Sequence, residues 1–184
     1  MKEVRIHGRG GQGSLVLAQF MAIAALQDGK FGQAFPFLGG GGERKGKAIE
    51  AFCRMDADPI RIRCKVNRPD YVIVQDATII GEVAVAEGLK DHGLVLVNTD
   101  RAACELGLPA GLAVHTFSAE DLARRILGRP IMNTALLGAF AAMTGELSLE
   151  AVLQAVRQKF PGQLGEKNAE VVKQSHARLM EARQ

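Results

Sequence analysis

Short apolar runs, set between longer stretches of helical periodicity, divide the chain into an alternating order of strands and helices. Residues 4–7 form a first short strand, 71–75 and 94–97 are near-continuous apolar runs, and 113–117 is a last parallel strand. With so few positions left to face water, such runs suit strands buried on both faces of a parallel sheet. Two further strands are predicted at 33–38 and 48–55. Ile60, Ile62 and Cys64 alternate with Arg61, Arg63 and Lys65. That alternation predicts a strand over 59–63, joined to 48–55 by the turn Asp56-Ala57-Asp58 and carrying one wet, basic face. Helices are predicted over 14–26, 83–89, 119–126, 133–143, 149–159 and 167–183. Ser118 and Asp121 make a capping box before the third of these, and Ser148 caps the fifth, which stops ahead of Pro161-Gly162. No repeat, low-complexity linker or second composition regime interrupts residues 1–184. The pattern predicts a single α/β domain, with a Rossmann-like, mostly parallel sheet flanked by helices and a helical C-terminal third.

Composition narrows the function. At 184 residues, 47% apolar and 23% charged, the chain is long enough to bury a proper core. A net charge of +3, no Lys/Arg run longer than two and only 5% aromatic residues give no case for nucleic-acid binding. The apolar stretch 15–26 is interrupted by Gln19 and too short to span a bilayer, and the first strand begins within three residues of Met1, so a cytoplasmic protein is expected. Cys53, Cys64 and Cys104 form no C-x-x-C pair, and His7, His92, His115 and His176 share no spacing. Neither zinc nor an iron–sulfur cluster is expected on this chain, and the cysteines fit a reducing compartment.

Candidate chemistry gathers in two glycine-rich segments. Gly8, Gly10 and Gly13 fit the G-x-G-x-x-G spacing between a strand and a helix, where backbone amides approach a phosphate at the helix N-terminus. Such a turn also occurs merely to pack the helix on the sheet. Arg9 suits an anionic ligand or an acidic partner. Gly39-Gly40-Gly41-Gly42 is followed by Glu43-Arg44-Lys45-Gly46-Lys47, whose cations serve either a ligand with several phosphates or an acidic neighbouring subunit. Both segments are expected at the same edge of the sheet. Asn133-Thr134 reads as a helix N-cap or as a hydrogen-bonding pair for a ligand. The chain lacks a G-x-S-x-G elbow, an H-E-x-x-H motif and a P-loop lysine, and no acidic residue ends the second strand to hold a dinucleotide ribose. With no catalytic constellation in view, a ligand-binding or partner-binding surface made from the two glycine-rich segments is the resulting expectation.

The opening Val4-Arg5-Ile6-His7-Gly8-Arg9-Gly10-Gly11-Gln12-Gly13 resembles that of the γ subunits of 2-oxoacid:ferredoxin oxidoreductases of the pyruvate synthase type. The resemblance continues through Asp28-Gly29-Lys30, Gln33-Ala34-Phe35-Pro36-Phe37 and Glu43-Arg44-Lys45-Gly46. It then runs through Pro59-Ile60-Arg61, Pro69-Asp70-Tyr71-Val72-Ile73-Val74-Gln75-Asp76 and Asn133-Thr134-Ala135-Leu136-Leu137-Gly138-Ala139, covering nearly the whole chain in order. It implies CoA-dependent oxidative decarboxylation of a 2-oxoacid to acyl-CoA and CO2, or the reverse synthesis, with ferredoxin or another acceptor. It further implies α, β and ferredoxin-like δ partner subunits, with thiamine diphosphate, Mg and [4Fe-4S] clusters in those partners. Carried over by matching motif, the expected CoA contacts are Gly8, Arg9, Gly10, Gly11, Gln12, Gly13, Arg44, Lys45 and Asn133. Two departures, the four consecutive glycines and Lys47-Ala48-Ile49 in place of Ala-Pro-Val, leave open which 2-oxoacid is used.

Overall fold

Alternation along the first strand separates the two faces of the sheet. In β1 (Lys2–Arg9), Val4 and Ile6 enter the main core, while Arg5 and His7 reach the opposite face. The computed structural model describes residues 1–37 and 45–181. After β1 come α1 (Ser14–Gln27), β2 (Phe31–Phe37), β3 (Ala48–Asp56), β4 (Tyr71–Val74), β5 (Leu94–Val97) and β6 (Ala113–Thr116). Four helices follow: α2 (Ala119–Leu127), α3 (Asn133–Thr144), α4 (Leu149–Lys159) and α5 (Gln163–Glu181). The strands form one sheet in the order β2-β3-β1-β4-β5-β6. β1, β4, β5 and β6 pair in parallel, and β3 alone runs against the others. The expected α/β architecture, mostly parallel with a helical C-terminal third, is what the chain adopts.

All five α-helices contribute to the core on the Val4/Ile6 face, where Leu17, Phe20, Leu136, Phe140, Val152 and Val172 are buried. The other face carries a smaller cluster in which Val72, Val74, Val95 and Val97 meet Ile79, Val85 and Leu106. Its cover is irregular chain with two short 3-10 helices, Ala77–Gly81 and Ala103–Glu105.

Two predicted elements are absent, and each for the same kind of reason. Residues 59–63 form no strand, because β3 already has β1 on one edge and β2 on the other. The backbone carbonyls of Ile62 and Cys64 instead accept hydrogen bonds of 3.3 and 2.7 Å from the guanidinium of Arg54, which is 1% exposed and also bonds Glu3. Residues 83–89 are turns rather than a helix. There the carbonyls of Val85 and Glu87 accept from Arg5, and Gly88 has φ +70°. A buried arginine thus takes over carbonyls that regular structure would have used.

Arg5 makes a further demand on its surroundings. Its Nε donates to Nε2 of His7 at 3.1 Å, so that nitrogen must be unprotonated. Burial, reinforced by the Arg5 and Lys65 charges and opposed by a bond at Val85, lowers the His7 pKa from 6.5 to about 3; Glu50 lies 3.9 Å from Nδ1. Between those values the unfolded chain binds a proton that the folded chain refuses, so stability falls as pH drops from 6.5 toward 3. The urea midpoint is expected to decline across that window, and His7→Gln to flatten the decline. Equal slopes in the two proteins would remove His7 as its source.

Candidate functional site

Glycine geometry builds the site where β1 hands over to α1. Gly11 and Gly13 have φ +97° and +77°, in the left-handed region that a Cβ disfavours. Gln12 closes the turn by donating its backbone N–H to the Arg9 carbonyl at 2.9 Å, while its Oε1 accepts from the Arg9 backbone N–H at 2.7 Å. Gly13 precedes α1, which has neither a side-chain cap nor an acidic residue in its first turn. The helix therefore faces the turn with the amides of its first turn and the positive end of its dipole.

The described end of the second segment, Lys45-Gly46-Lys47, meets the glycine turn. β1 and β3 end in register at Arg9 and Ala48, and Gly10 forms a bridge with Lys45. The Gly10 N–H donates to the Lys47 carbonyl at 2.9 Å, and the Gly46 N–H to the Gly10 carbonyl at 3.0 Å. Lys45 and Lys47 are exposed beside the turn. Gly39, Gly40, Gly41, Gly42, Glu43 and Arg44 lie outside the described residues.

Arg9 is committed elsewhere. Its Nε donates to Asp76 at 3.2 Å, and its Nη2 donates to Thr78 at 2.6 Å and to Glu82 at 2.5 Å. The bond to Glu82, with the Glu82 and Asp76 charges, raises the Arg9 pKa, while the same bond lowers Glu82. Burial pushes Asp76 up, but bonds from Thr78 and Gln12 and the charge of Arg9 outweigh it and hold the carboxyl low. Asp76 is the junction here: it caps the 3-10 helix through the Thr78 N–H and accepts from Gln12 Nε2 at 3.1 Å.

Beneath the turn lies a buried row of polar side chains. Ser14 Oγ donates to Gln75 Oε1 at 2.5 Å, Gln75 Nε2 donates to Asn133 Oδ1 at 2.6 Å, and Asn133 Nδ2 reaches the Gln12 carbonyl at 3.4 Å. Asn133 is the first residue of α3 and makes no cap, so the capping reading of that position is corrected. Its amide is drawn into the row because Gln75, also buried, needs an acceptor there. The capping box at Ser118 is likewise not made: Ser118 Oγ bonds Asp121, and Asn98 Oδ1 accepts from the Ala119 and Glu120 N–H groups instead. Ser148 caps α4 as expected, accepting from Ala151 at 3.1 Å.

No local motif marks Gln75 or Asn98 in the sequence; the available signal is that each directly follows a buried strand, a position where α/β folds place functional groups. Among the described residues no three His, Cys, Asp or Glu side chains lie together as metal ligands, and no helix is long and apolar enough to cross a membrane. Cys53 is buried and its thiol is pushed up to about 12, whereas Cys64 and Cys104 are exposed. The arrangement offers amides, a helix terminus and lysines for holding an anion.

The pyruvate ferredoxin/flavodoxin oxidoreductase family model matches residues 3–177. The chain is 47% identical over 180 residues to pyruvate synthase subunit PorC of Methanocaldococcus jannaschii, covering 98% of each protein. It is 45% identical over 180 residues to the pyruvate/ketoisovalerate oxidoreductases common subunit gamma of Thermococcus kodakarensis, covering 95% of each. The crystal structure of pyruvate oxidoreductase subunit PORC from Thermotoga maritima is similar with a TM-score of 0.83 and 34% identity, over 96% of this chain and 95% of that one.

Proposed function

The chain belongs to the pyruvate ferredoxin/flavodoxin oxidoreductase family, and from that premise we propose that it is the γ subunit of a cytoplasmic complex that oxidises pyruvate with CoA. The products are acetyl-CoA and CO2, with the electron pair passed to ferredoxin or another acceptor. Thiamine diphosphate with Mg and [4Fe-4S] clusters, held by α, β and δ subunits, supply the decarboxylation and the electron path. This chain's part is to hold CoA. The observation that carries the reading is the bridge between Gly10 and Lys45, which joins the glycine turn and the basic segment into one surface at the uncapped start of α1. The CoA pyrophosphate and 3′-phosphate are anions suited to such a surface. Gly8, Gly10, Gly11, Gln12 and Gly13 shape it, Arg44 and Lys45 supply charge, and Asn133 supports it from below.

A second reading, a subunit whose loops serve assembly alone, is favoured by one observation. Arg9 already bonds Asp76, Thr78 and Glu82, so its charge is neutralised within the chain. Kinetics of the assembled complex separate the two. Losing one charge-assisted contact is worth roughly 1.5–3 kcal/mol, so Lys45→Ala and Arg44→Ala are each expected to raise KM for CoA about tenfold or more, with KM for pyruvate unchanged. Normal CoA kinetics, together with loss of subunits on size exclusion, would establish the assembly role instead.

A further inference from the structure

We propose that Gln75 is a positioning residue: its side-chain amide sets the orientation of Asn133 and, through Asn133, the shape of the turn Gly10–Gly13. The proposal rests on the reading of that turn as part of the CoA site. Gln75 is 1% exposed, and each of its polar groups has one partner. Its backbone N–H donates to the His7 carbonyl at 2.8 Å, and its carbonyl accepts from Asn98 Nδ2 at 2.9 Å. Its side chain accepts from Ser14 and donates to Asn133. The residue thus sits where β1, the glycine turn and α3 converge, and its carbonyl ties in the Asn98 side chain that caps α2.

The row has a direction, and reversing it fails at one end. With Gln75 Oε1 taken by the Ser14 hydroxyl, Nε2 must face Asn133 Oδ1, which leaves Asn133 Nδ2 to donate to the Gln12 carbonyl. Turning both amides over would set Asn133 Oδ1 against that carbonyl, two acceptors with no proton between them. Only one orientation therefore serves the turn. The same row explains two glycines of the motif. A Cβ on Gly8 would strike Ser14 Oγ and Gln75 Oε1, and one on Gly13 would lie 2.7 Å from Asn133 Nδ2. Gly8 and Gly13 make room for protein amides, which leaves the approach of a ligand to the rest of the turn.

The test is steady-state kinetics of the assembled complex carrying Gln75→Met, which keeps the volume and removes both side-chain bonds. KM for CoA is expected to rise about tenfold, with kcat at saturating CoA within twofold and KM for pyruvate unchanged. Tyr71→Phe is the structural control. It deletes the 2.6 Å bond to Glu146 at the other end of β4 and is expected to lower stability without moving KM for CoA. If Gln75→Met does not assemble, Ser14→Ala takes its place, because it removes only the donor that orients Gln75; a KM increase of about threefold is expected. An unchanged KM for CoA in Gln75→Met, or in Ser14→Ala where that is the variant measured, overturns the proposal. So does a KM shift matched by Tyr71→Phe, or a fall in kcat alone. Lys45→Ala in the same assay tells the two failures apart: if it raises KM for CoA while Gln75→Met does not, the CoA reading stands and the positioning role is lost.

Discussion

Gly138→Val is expected to lower the thermal midpoint of the protein by roughly 6–12 °C, the effect of about 3 kcal/mol in a chain of this size. Gly138 lies in α3, where it faces α5, and a Cβ there would lie 2.6 Å from the Val172 carbonyl and 3.1 Å from its Cα, besides striking Ser175 Oγ. The serine could rotate, but a helix backbone cannot retreat without moving the whole element. Two effects compete. Replacing glycine inside a helix gains about 1 kcal/mol for alanine and less for a β-branched residue. Overpacking a close contact costs about 1–3 kcal/mol, occasionally more, and the extra methyl groups of valine push it to the upper end. Sterics win. Gly81→Ala is the reference: Gly81 has no positive φ, and its Cβ would meet no described atom within 4 Å, so a change within about 0.5 kcal/mol is expected. A melting curve of Gly138→Val that overlays the Gly81→Ala curve would mean that α3 and α5 do not pack backbone to backbone.

This contact also shows what was legible in the sequence. The apolar run that becomes α3 was visible, and so were β4 and β5, because strands buried on both faces leave continuous apolar runs. The glycine inside α3 was visible too, but not the helix it makes room for, since Val172 lies 34 positions away. The predicted strand at 59–63 failed for the same reason. Its alternation was real, yet the sheet offered β3 no free edge, and Arg54 claimed the carbonyls. Ser118 looked like a cap by local spacing, and the Asn98 side chain won that role from the end of β5. Local chemistry could be read where it acts within a few residues, as with Ser148 and Ala151. Where a buried polar group chooses among distant partners, the choice depends on which element lies nearest in space.

Gly13→Ala is the substitution in which these local and distant effects combine, and its expected result is a rise in KM for CoA of about tenfold to a hundredfold in the assembled complex. The left-handed φ of +77° costs an alanine roughly 1–2 kcal/mol. The new methyl group would also sit 2.7 Å from Asn133 Nδ2, whose amide is held by Gln75 and cannot simply swing aside. Each 1.4 kcal/mol transmitted to the bound state is a factor of ten in affinity. Gly11→Ala separates the parts. Gly11 has φ +97°, and no described atom lies within 4 Å of where its Cβ would be, so it carries the backbone cost without the clash. Gly13→Ala should therefore exceed Gly11→Ala. Combining Gly13→Ala with Asn133→Ala gives the sharper comparison, because truncating Asn133 removes the atom that the methyl group strikes. If Asn133 transmits the strain, the double variant binds CoA better than the product of the single effects predicts. Additive losses would mean that the turn suffers from its own dihedral strain and that Asn133 acts on CoA independently.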